Sequence, residues 1–130
     1  MIVNHGISST LGLQAGDLVS IVGAGGKTTT MYRICNDVRA QGLRVISTTT
    51  TAIQRPTPAQ SPLLLITNDI RDSLTAIVAG LDEYQHITVV GETKRADKFE
   101  GVNATAILAF RDLADVVVAE ADGARHAAIK

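Results

Sequence analysis

Aromatic residues and cysteines are scarce in this chain of 130 residues. It has no tryptophan, two tyrosines, two phenylalanines and a single cysteine, Cys35. One cysteine excludes an internal disulfide and favours a cytoplasmic location. No apolar run approaches the roughly 18 residues of a membrane helix, and the polar start does not resemble a signal peptide. We therefore expect a cytoplasmic protein without a membrane-spanning segment.

The sequence also lacks an excess of charge of either sign. Lys and Arg number 12 and Asp and Glu number 13, so the formal net charge is −1, and the basic residues form no block. A nucleic-acid surface would need clustered basic side chains and stacking aromatic rings. We expect no nucleic-acid partner. The length and the 45% hydrophobic content fit one globular domain over residues 1–130.

Glycine is concentrated in one stretch, and the pattern around it predicts a phosphate-binding loop. Residues 18–22 form a β-prone run that leads into a glycine-rich turn and a helix-like segment. Glycines let backbone N–H groups curl around phosphate oxygens, and the helix N-terminus and Lys27 add positive charge. Thr28 is placed to offer its hydroxyl to a Mg²⁺ ion that bridges two phosphates. The predicted residues for binding ATP or GTP are Gly23, Ala24, Gly25, Gly26, Lys27, Thr28 and Thr29.

The glycine spacing is that of a short P-loop. The full signature G-x-x-x-x-G-K-[ST] would need a glycine at position 21, which is Ile21. Only Gly23 stands upstream, which gives the Gly-x-x-Gly-Lys-Thr spacing of Mur ligases and folylpolyglutamate synthases. A dinucleotide fingerprint would need a glycine at position 28 and an acid closing the second strand, and the sequence has neither. A plain glycine turn is the remaining alternative.

Strand-like and helix-like segments alternate along the chain. Apolar runs predict strands at residues 18–22, 43–47, 63–66, 87–90 and 115–119. Helical spacing predicts helices at 28–41 and 103–113. A third predicted helix is capped by Asn68 or Asp69, and its inward face is formed by Ile70, Leu74, Ile77, Val78 and Leu81. Residues 1–16 read as a lead-in, the proline-rich segment 56–62 as a surface loop, and residues 91–98 as a charged loop without periodicity. The alternation predicts a three-layer αβα domain of the P-loop NTPase type with a mainly parallel sheet.

Polar residues follow two further predicted strands, at the edge of the sheet where ligands bind in open α/β folds. Four threonines follow the second strand, and a carboxylate pair, Glu120 and Asp122, closes the fifth as in a Walker B strand. Mg²⁺ takes carboxylate and hydroxyl oxygens. The predicted metal ligands are therefore Thr28, Thr48, Thr49, Glu120 and Asp122, and the predicted catalytic residues are Lys27, Glu120 and Asp122. The alternatives are β-branched filler for the threonines and a solvated acid pair at the strand end.

Several segments together resemble the selenium-dependent hydroxylase accessory proteins, the YqeC-like family. The resemblance rests on segments that occur in one order: Ile21-Val22-Gly23-Ala24-Gly25-Gly26-Lys27-Thr28-Thr29, Thr48-Thr49-Thr50-Thr51, Val90-Gly91, Lys98-Phe99-Glu100-Gly101-Val102 and Glu120-Ala121-Asp122-Gly123-Ala124. It implies a P-loop nucleotide binder that helps to mature molybdenum hydroxylases with a labile selenium-containing cofactor. Its implied partners are such a hydroxylase or the proteins that assemble its cofactor.

The resemblance also implies a longer chain. Family members continue past a Pro-Leu-Lys-Ala-Pro-like segment after the acidic block, whereas this sequence reads Ala127-Ala128-Ile129-Lys130 and stops. We therefore expect either a truncated or a short natural version. The leading hypothesis is a Mg²⁺-dependent ATP- or GTP-binding protein that acts as an NTP hydrolase or phosphotransferase. The alternative is a non-catalytic nucleotide-binding or assembly module that delivers cofactor to a partner.

Overall fold

The fold is an α/β arrangement of short strands and three helices. The computed structural model describes residues 2–4 (as backbone), 13–22, 25–95 and 97–121. In chain order these residues form β1 Ile2–Asn4, β2 Asp17–Val22, α1 Lys27–Ala40, β3 Val45–Thr49, β4 Ala52–Gln54, β5 Leu64–Ile66, α2 Ile70–Tyr84, β6 His86–Val90, β7 Thr93–Arg95, β8 Lys98–Glu100, α3 Ala104–Arg111 and β9 Val116–Glu120.

Six strands form the main sheet, in the order β1-β2-β9-β3-β6-β5, and all five pairings are parallel. The expectation of a mainly parallel sheet is thereby confirmed. β9 lies between β2 and β3, so that Glu120 is in register with Ile21 on one side and with Thr49 on the other. This order puts the ends of the glycine-loop strand, the threonine strand and the acidic strand next to one another.

The sheet is covered on both faces by apolar cores. On one face the inner side of α1 packs against alternate residues of β2, β3 and β9, for example Val19, Val45 and Val118. On the other face α2 and α3 pack against the remaining alternate residues. The middle strands β3, β6 and β9 are buried along their whole length. Successive side chains of a strand point to opposite faces of the sheet, so they enter different cores. The predicted three layers are present.

A second, antiparallel sheet of order β4-β8-β7 corrects the prediction for residues 91–98. Those residues contain β7 and begin β8, whereas the sequence predicted a loop. Strands of three residues are too short to show periodicity, and all three residues of Thr93–Arg95 are exposed. The inward residues Ile53 and Phe99, both nearly inaccessible to solvent, join the small sheet to the core on the α1 side.

Other boundaries differ in smaller ways. The lead-in contains the edge strand β1, which pairs with β2 and which the sequence did not reveal. Helix α1 ends as predicted before Gly42, whose φ of +85° is the left-handed conformation favoured by glycine. On α2, Ile77 and Leu81 are buried as predicted, but Leu74 and Val78 are 39% and 41% exposed. The predicted inward face of α2 was therefore too wide. Within the described residues, no helix has the length and apolar character to span a membrane.

Candidate functional site

The N-terminus of α1 is the first part of the candidate site. Gly25 and Gly26 both adopt left-handed φ values, +69° and +70°, which turn the chain directly into the helix. Among the described residues no side chain caps α1, and its first turn has no acidic residue. Asp69 and Asn103, in contrast, cap α2 and α3 with their side chains. The first amides of α1 are thus left for another acceptor, the condition for anion binding at a helix N-terminus.

Lys27 and Thr28 form hydrogen bonds with the end of β9, which lies more than 90 residues later in the sequence. The Thr28 hydroxyl donates to Glu120 Oε1 at 2.5 Å, and Lys27 Nζ donates to the Ala121 carbonyl at 2.9 Å. Glu120 is 6% exposed, while Lys27 and Thr28 are half-buried. The Ala121 amide donates to the Ile21 carbonyl at 3.0 Å, which holds the end of β9 against β2. The predicted lysine, hydroxyl and carboxylate therefore lie together.

The two threonines predicted as metal ligands have different surroundings. Thr48 is fully buried and its hydroxyl donates to the Val89 carbonyl at 2.6 Å, toward β6. The Thr49 hydroxyl donates to the Glu120 carbonyl at 3.2 Å, and the Thr50 amide donates to the same oxygen at 3.0 Å. Both hydroxyls are engaged with the backbone. Thr49 is adjacent to Glu120, whereas Thr48 is directed away from the edge of the sheet.

The remaining predicted residues divide in two groups. Gly25, Gly26 and Thr29 are exposed at the start of α1. Gly23, Ala24 and Asp122 lie outside the described residues.

A bound Mg²⁺ ion would be compatible with the groups that the chain brings together. Within the described residues, no three His, Cys, Asp or Glu side chains cluster to hold a metal. Mg²⁺ does not require such a cluster, because it commonly takes one or two protein oxygens and completes its shell with phosphate oxygens and water. The Thr28 hydroxyl and the Glu120 carboxylate are hard oxygen donors in mutual contact. They fit a magnesium–phosphate ligand.

A cavity of about 640 Å³ opens farther along the same edge of the sheet, beyond β5 and β6. The sequence alone does not reveal it. It is lined by the starts of α2 and α3 and by the segments around Gly91 and Gly101. These segments are separated in the sequence and come together only in the folded chain. The one signal available in the sequence was the helix-capping pattern at Asp69 and Asn103, which places two helix starts at this edge.

Below the edge, β3 and β6 share a buried polar network. Ser47 Oγ lies 2.9 Å from His86 Nε2 and 2.7 Å from Thr88 Oγ1, and the Thr88 hydroxyl donates to Ser61 at 2.7 Å. Burial lowers the pKa of His86 to about 4, so the imidazole is neutral near pH 7. A serine beside a histidine can form a nucleophile–base pair. Here both side chains are completely inaccessible, and the network is structural.

Cys35 is buried on the inner face of α1, and burial raises the pKa of its thiol. Burial likewise raises the pKa of the neighbouring Tyr32 hydroxyl. Both groups stay protonated at neutral pH. Neither is part of the candidate site.

Comparison with known proteins identifies a family and a relative. The model of the family "YqeC protein" matches residues 19–130. A protein of Escherichia coli (strain K12) named "Uncharacterized protein YqeC" is 31% identical over 123 residues, which are 87% of this chain and 43% of that protein. The chain thus spans less than half the length of this relative. No solved structure matches this chain.

Proposed function

The chain belongs to the YqeC protein family, and from this premise we propose that it binds ATP or GTP with Mg²⁺. The observation that carries the proposal is the contact between Thr28 and Glu120, 2.5 Å apart and 92 residues apart in sequence. A hydroxyl at a helix N-terminus and a carboxylate at the end of the adjacent strand are the pair that holds Mg²⁺ in P-loop NTPases.

Each described residue has a defined part in this proposal. Lys27 and the uncapped amides of α1 offer positive charge to the phosphate oxygens. Thr28 and Glu120 are the protein ligands for Mg²⁺, which would neutralise further charge on the phosphates. Thr49 positions Glu120 through the hydrogen bond to its carbonyl. We do not assign Thr48 to the metal, because its hydroxyl is buried against Val89.

As a reaction we propose NTP hydrolysis or phosphoryl transfer, in which charge stabilisation and positioning account for most of the catalysis. Asp122, two residues beyond Glu120, is the proposed residue for orienting the nucleophile. The resemblance to selenium-dependent hydroxylase accessory proteins directs the proposal to the maturation of molybdenum hydroxylases. A hydroxylase of that class, or its cofactor-assembly proteins, would be the partner.

Titration calorimetry with ATP and with GTP, each with and without Mg²⁺, tests the proposal. We expect binding that Mg²⁺ strengthens and that Lys27→Ala and Thr28→Ala weaken by about tenfold or more, since each removes a charge-assisted or metal-directed contact. Thr28→Ser keeps the hydroxyl and should bind like the wild type. Arg33→Ala, on the exposed side of α1, is the matched control for Lys27. Absence of binding at millimolar nucleotide would contradict the proposal.

A second candidate is a nucleotide-binding module without turnover. It is favoured by the contact of Glu120 with Thr28, which commits this carboxylate to the proposed metal pair and not to a nucleophile. Phosphate release separates the candidates: a catalyst loses turnover in Glu120→Gln, whereas a module binds nucleotide but releases no phosphate above background.

A further inference from the structure

The cavity beyond β5 and β6 is separate from the proposed nucleotide site. Its walls come from the ends of β5 and β6, from the turn after β8 and from the starts of α2 and α3. Three strand intervals separate β2 from β6 in the sheet order, roughly 14 Å at the usual strand spacing. Its volume of about 640 Å³ lies within the range of small-molecule sites. It also lies at the carboxyl edge of a parallel sheet, where such sites occur.

The charges in this cavity are unfavourable for an anion. Its lining includes three carboxylates, of Asp69, Glu92 and Glu100, and one guanidinium, of Arg71. Arg71 is engaged, because its side chain pairs with Asp69 at 3.2 Å. Neither Glu92 nor Glu100 forms an ion pair with any described basic side chain. With Asp69 and Arg71 paired, Glu92 and Glu100 give the lining residues a net negative charge.

The helix starts do not reverse this balance, because both are already capped. Asp69 accepts a hydrogen bond from the Arg71 amide at 2.9 Å, and Asn103 accepts one from the Ala106 amide at 2.8 Å. At α2 the capping group is itself an anion. These two helix starts thus differ from that of α1, which has no side-chain cap among the described residues.

The rest of the lining can accept and donate hydrogen bonds around a small apolar surface. Thr105 has a hydroxyl and Asn68 an amide, and both exposed residues belong to the lining. Asn103 retains its two amide hydrogens as donors, because its oxygen is the capping atom. Ile70, Val102 and Ala106 supply apolar contact.

We propose that this cavity is a second ligand site for a small molecule that combines an ammonium group with several hydroxyl groups, as an aminosugar does. Glu92 and Glu100 take the ammonium group, the amides and Thr105 take the hydroxyls, and the apolar residues contact the carbon skeleton. This assignment does not depend on nucleotide binding.

The position of the cavity also couples it to Glu120. The turn at Gly101 lies directly on the backbone of residues 49–51, and the Val102 amide donates to the Thr49 carbonyl at 2.8 Å. Thr49 and Thr50 in turn hold the Glu120 carbonyl. Backbone hydrogen bonds thus connect the turn at Gly101 with the segment that positions Glu120.

The test uses three probes of similar shape and different charge: glucosamine, glucose and glucose 6-phosphate. Each is titrated without nucleotide into the whole isotope-labelled chain, and backbone amide shifts at Gly91, Gly101 and Val102 are followed by NMR. We expect glucosamine to bind with a dissociation constant of about 1 mM, as befits a small polar ligand. Glucose should bind more weakly, and glucose 6-phosphate least.

Two variants locate the effect in the cavity. Glu92→Gln combined with Glu100→Gln should weaken glucosamine about tenfold, to the level of glucose, because it removes the charge-assisted contacts. Glu83→Gln, an exposed acid outside the cavity lining, is the matched control and should leave binding unchanged. Thr105→Trp should block all three sugars while the amide spectrum stays folded.

Three results would overturn the proposal: glucose 6-phosphate binding as tightly as glucosamine, equal glucosamine affinity in the double Gln variant, or no shifts at these amides at about 50 mM glucosamine. A nucleotide titration of the same sample is independent of these outcomes, so that failure of one site is distinguishable from failure of the other.

Discussion

Replacing Gly101 with alanine would put a methyl group into the backbone of the segment that follows β3. A Cβ at this position would lie 2.4 Å from the Thr50 carbonyl carbon, 2.4 Å from the Thr51 oxygen and 2.6 Å from the Thr49 oxygen. All three neighbours are main-chain atoms, so no side chain can rotate to relieve the contact. The φ of Gly101 is not in the left-handed region, so the predicted cost is steric.

The size of the effect follows from what has to move. Relief of the clash requires a displacement of roughly 1 Å, which weakens the Val102–Thr49 and Thr50–Glu120 backbone hydrogen bonds, at about 1 kcal/mol each. Overpacking adds about 1–3 kcal/mol to the destabilisation. Alanine also lowers the conformational entropy of the unfolded chain, which offsets about 0.4–1 kcal/mol. The net destabilisation is about 3 kcal/mol. For a 130-residue chain, an unfolding entropy of about 0.27 kcal/mol/K converts this to a Tm about 11 °C lower.

Thermal unfolding followed by circular dichroism measures the effect, with Gly42→Ala as the control. Gly42 has a φ of +85° and open space around its Cβ position, so that substitution carries only the left-handed backbone cost of about 1–2 kcal/mol. The Gly42 variant should therefore have a Tm lower by about 4–7 °C, against about 11 °C for the Gly101 variant. If the Gly101 variant proves as stable as the Gly42 variant, the inferred close packing of this turn on residues 49–51 is wrong.

Two further predictions concern stability. Asp69→Ala removes the side-chain cap of α2 and should lower the free energy of unfolding by about 1 kcal/mol, measured by urea denaturation. Asp69→Asn, which keeps a capping oxygen, should cost much less, and equal losses would exclude the cap as the cause. His86 has its pKa lowered from 6.5 to about 4 by burial, so the unfolded chain takes up its proton first as the pH falls. Stability should therefore drop between pH 6.5 and 4, by up to about 3 kcal/mol from this group. His86→Gln should show a smaller drop in parallel urea titrations, and an identical pH profile would refute this role.

The sequence predicted the parts of the fold that local pattern determines. Buried parallel strands read as short apolar runs, and all five were found to within two residues at each end. The helix stop at Gly42 and a cap at Asn68 or Asp69, which the structure shows to be Asp69, followed from backbone chemistry that acts over a few residues.

What the sequence could not predict depends on long-range packing. The strands of the small sheet are three residues each and are stabilised by pairing between distant segments, so residues 91–98 looked irregular. Leu74 and Val78 have the helical spacing of an inward face, but their exposure depends on what lies beneath α2. The strand order, and with it the contact between Thr28 and Glu120, likewise comes from the topology. The types of the site residues were readable from the sequence, whereas the separate environments of Thr48 and Thr49 were not.

The place of β9 in the sheet has a consequence for synthesis on the ribosome. β2 and β3 are consecutive strands joined by α1, yet they are not neighbours, because β9 lies between them. The position between β2 and β3 is unoccupied until residues 116–120 have been synthesised. During translation the earlier strands can therefore form only two separate parts of the sheet. Contacts of such long sequence separation form late and slow the folding of the chain. The Thr28–Glu120 pair therefore cannot form before β9 has been synthesised, and a nascent chain that ends before residue 116 has no assembled site.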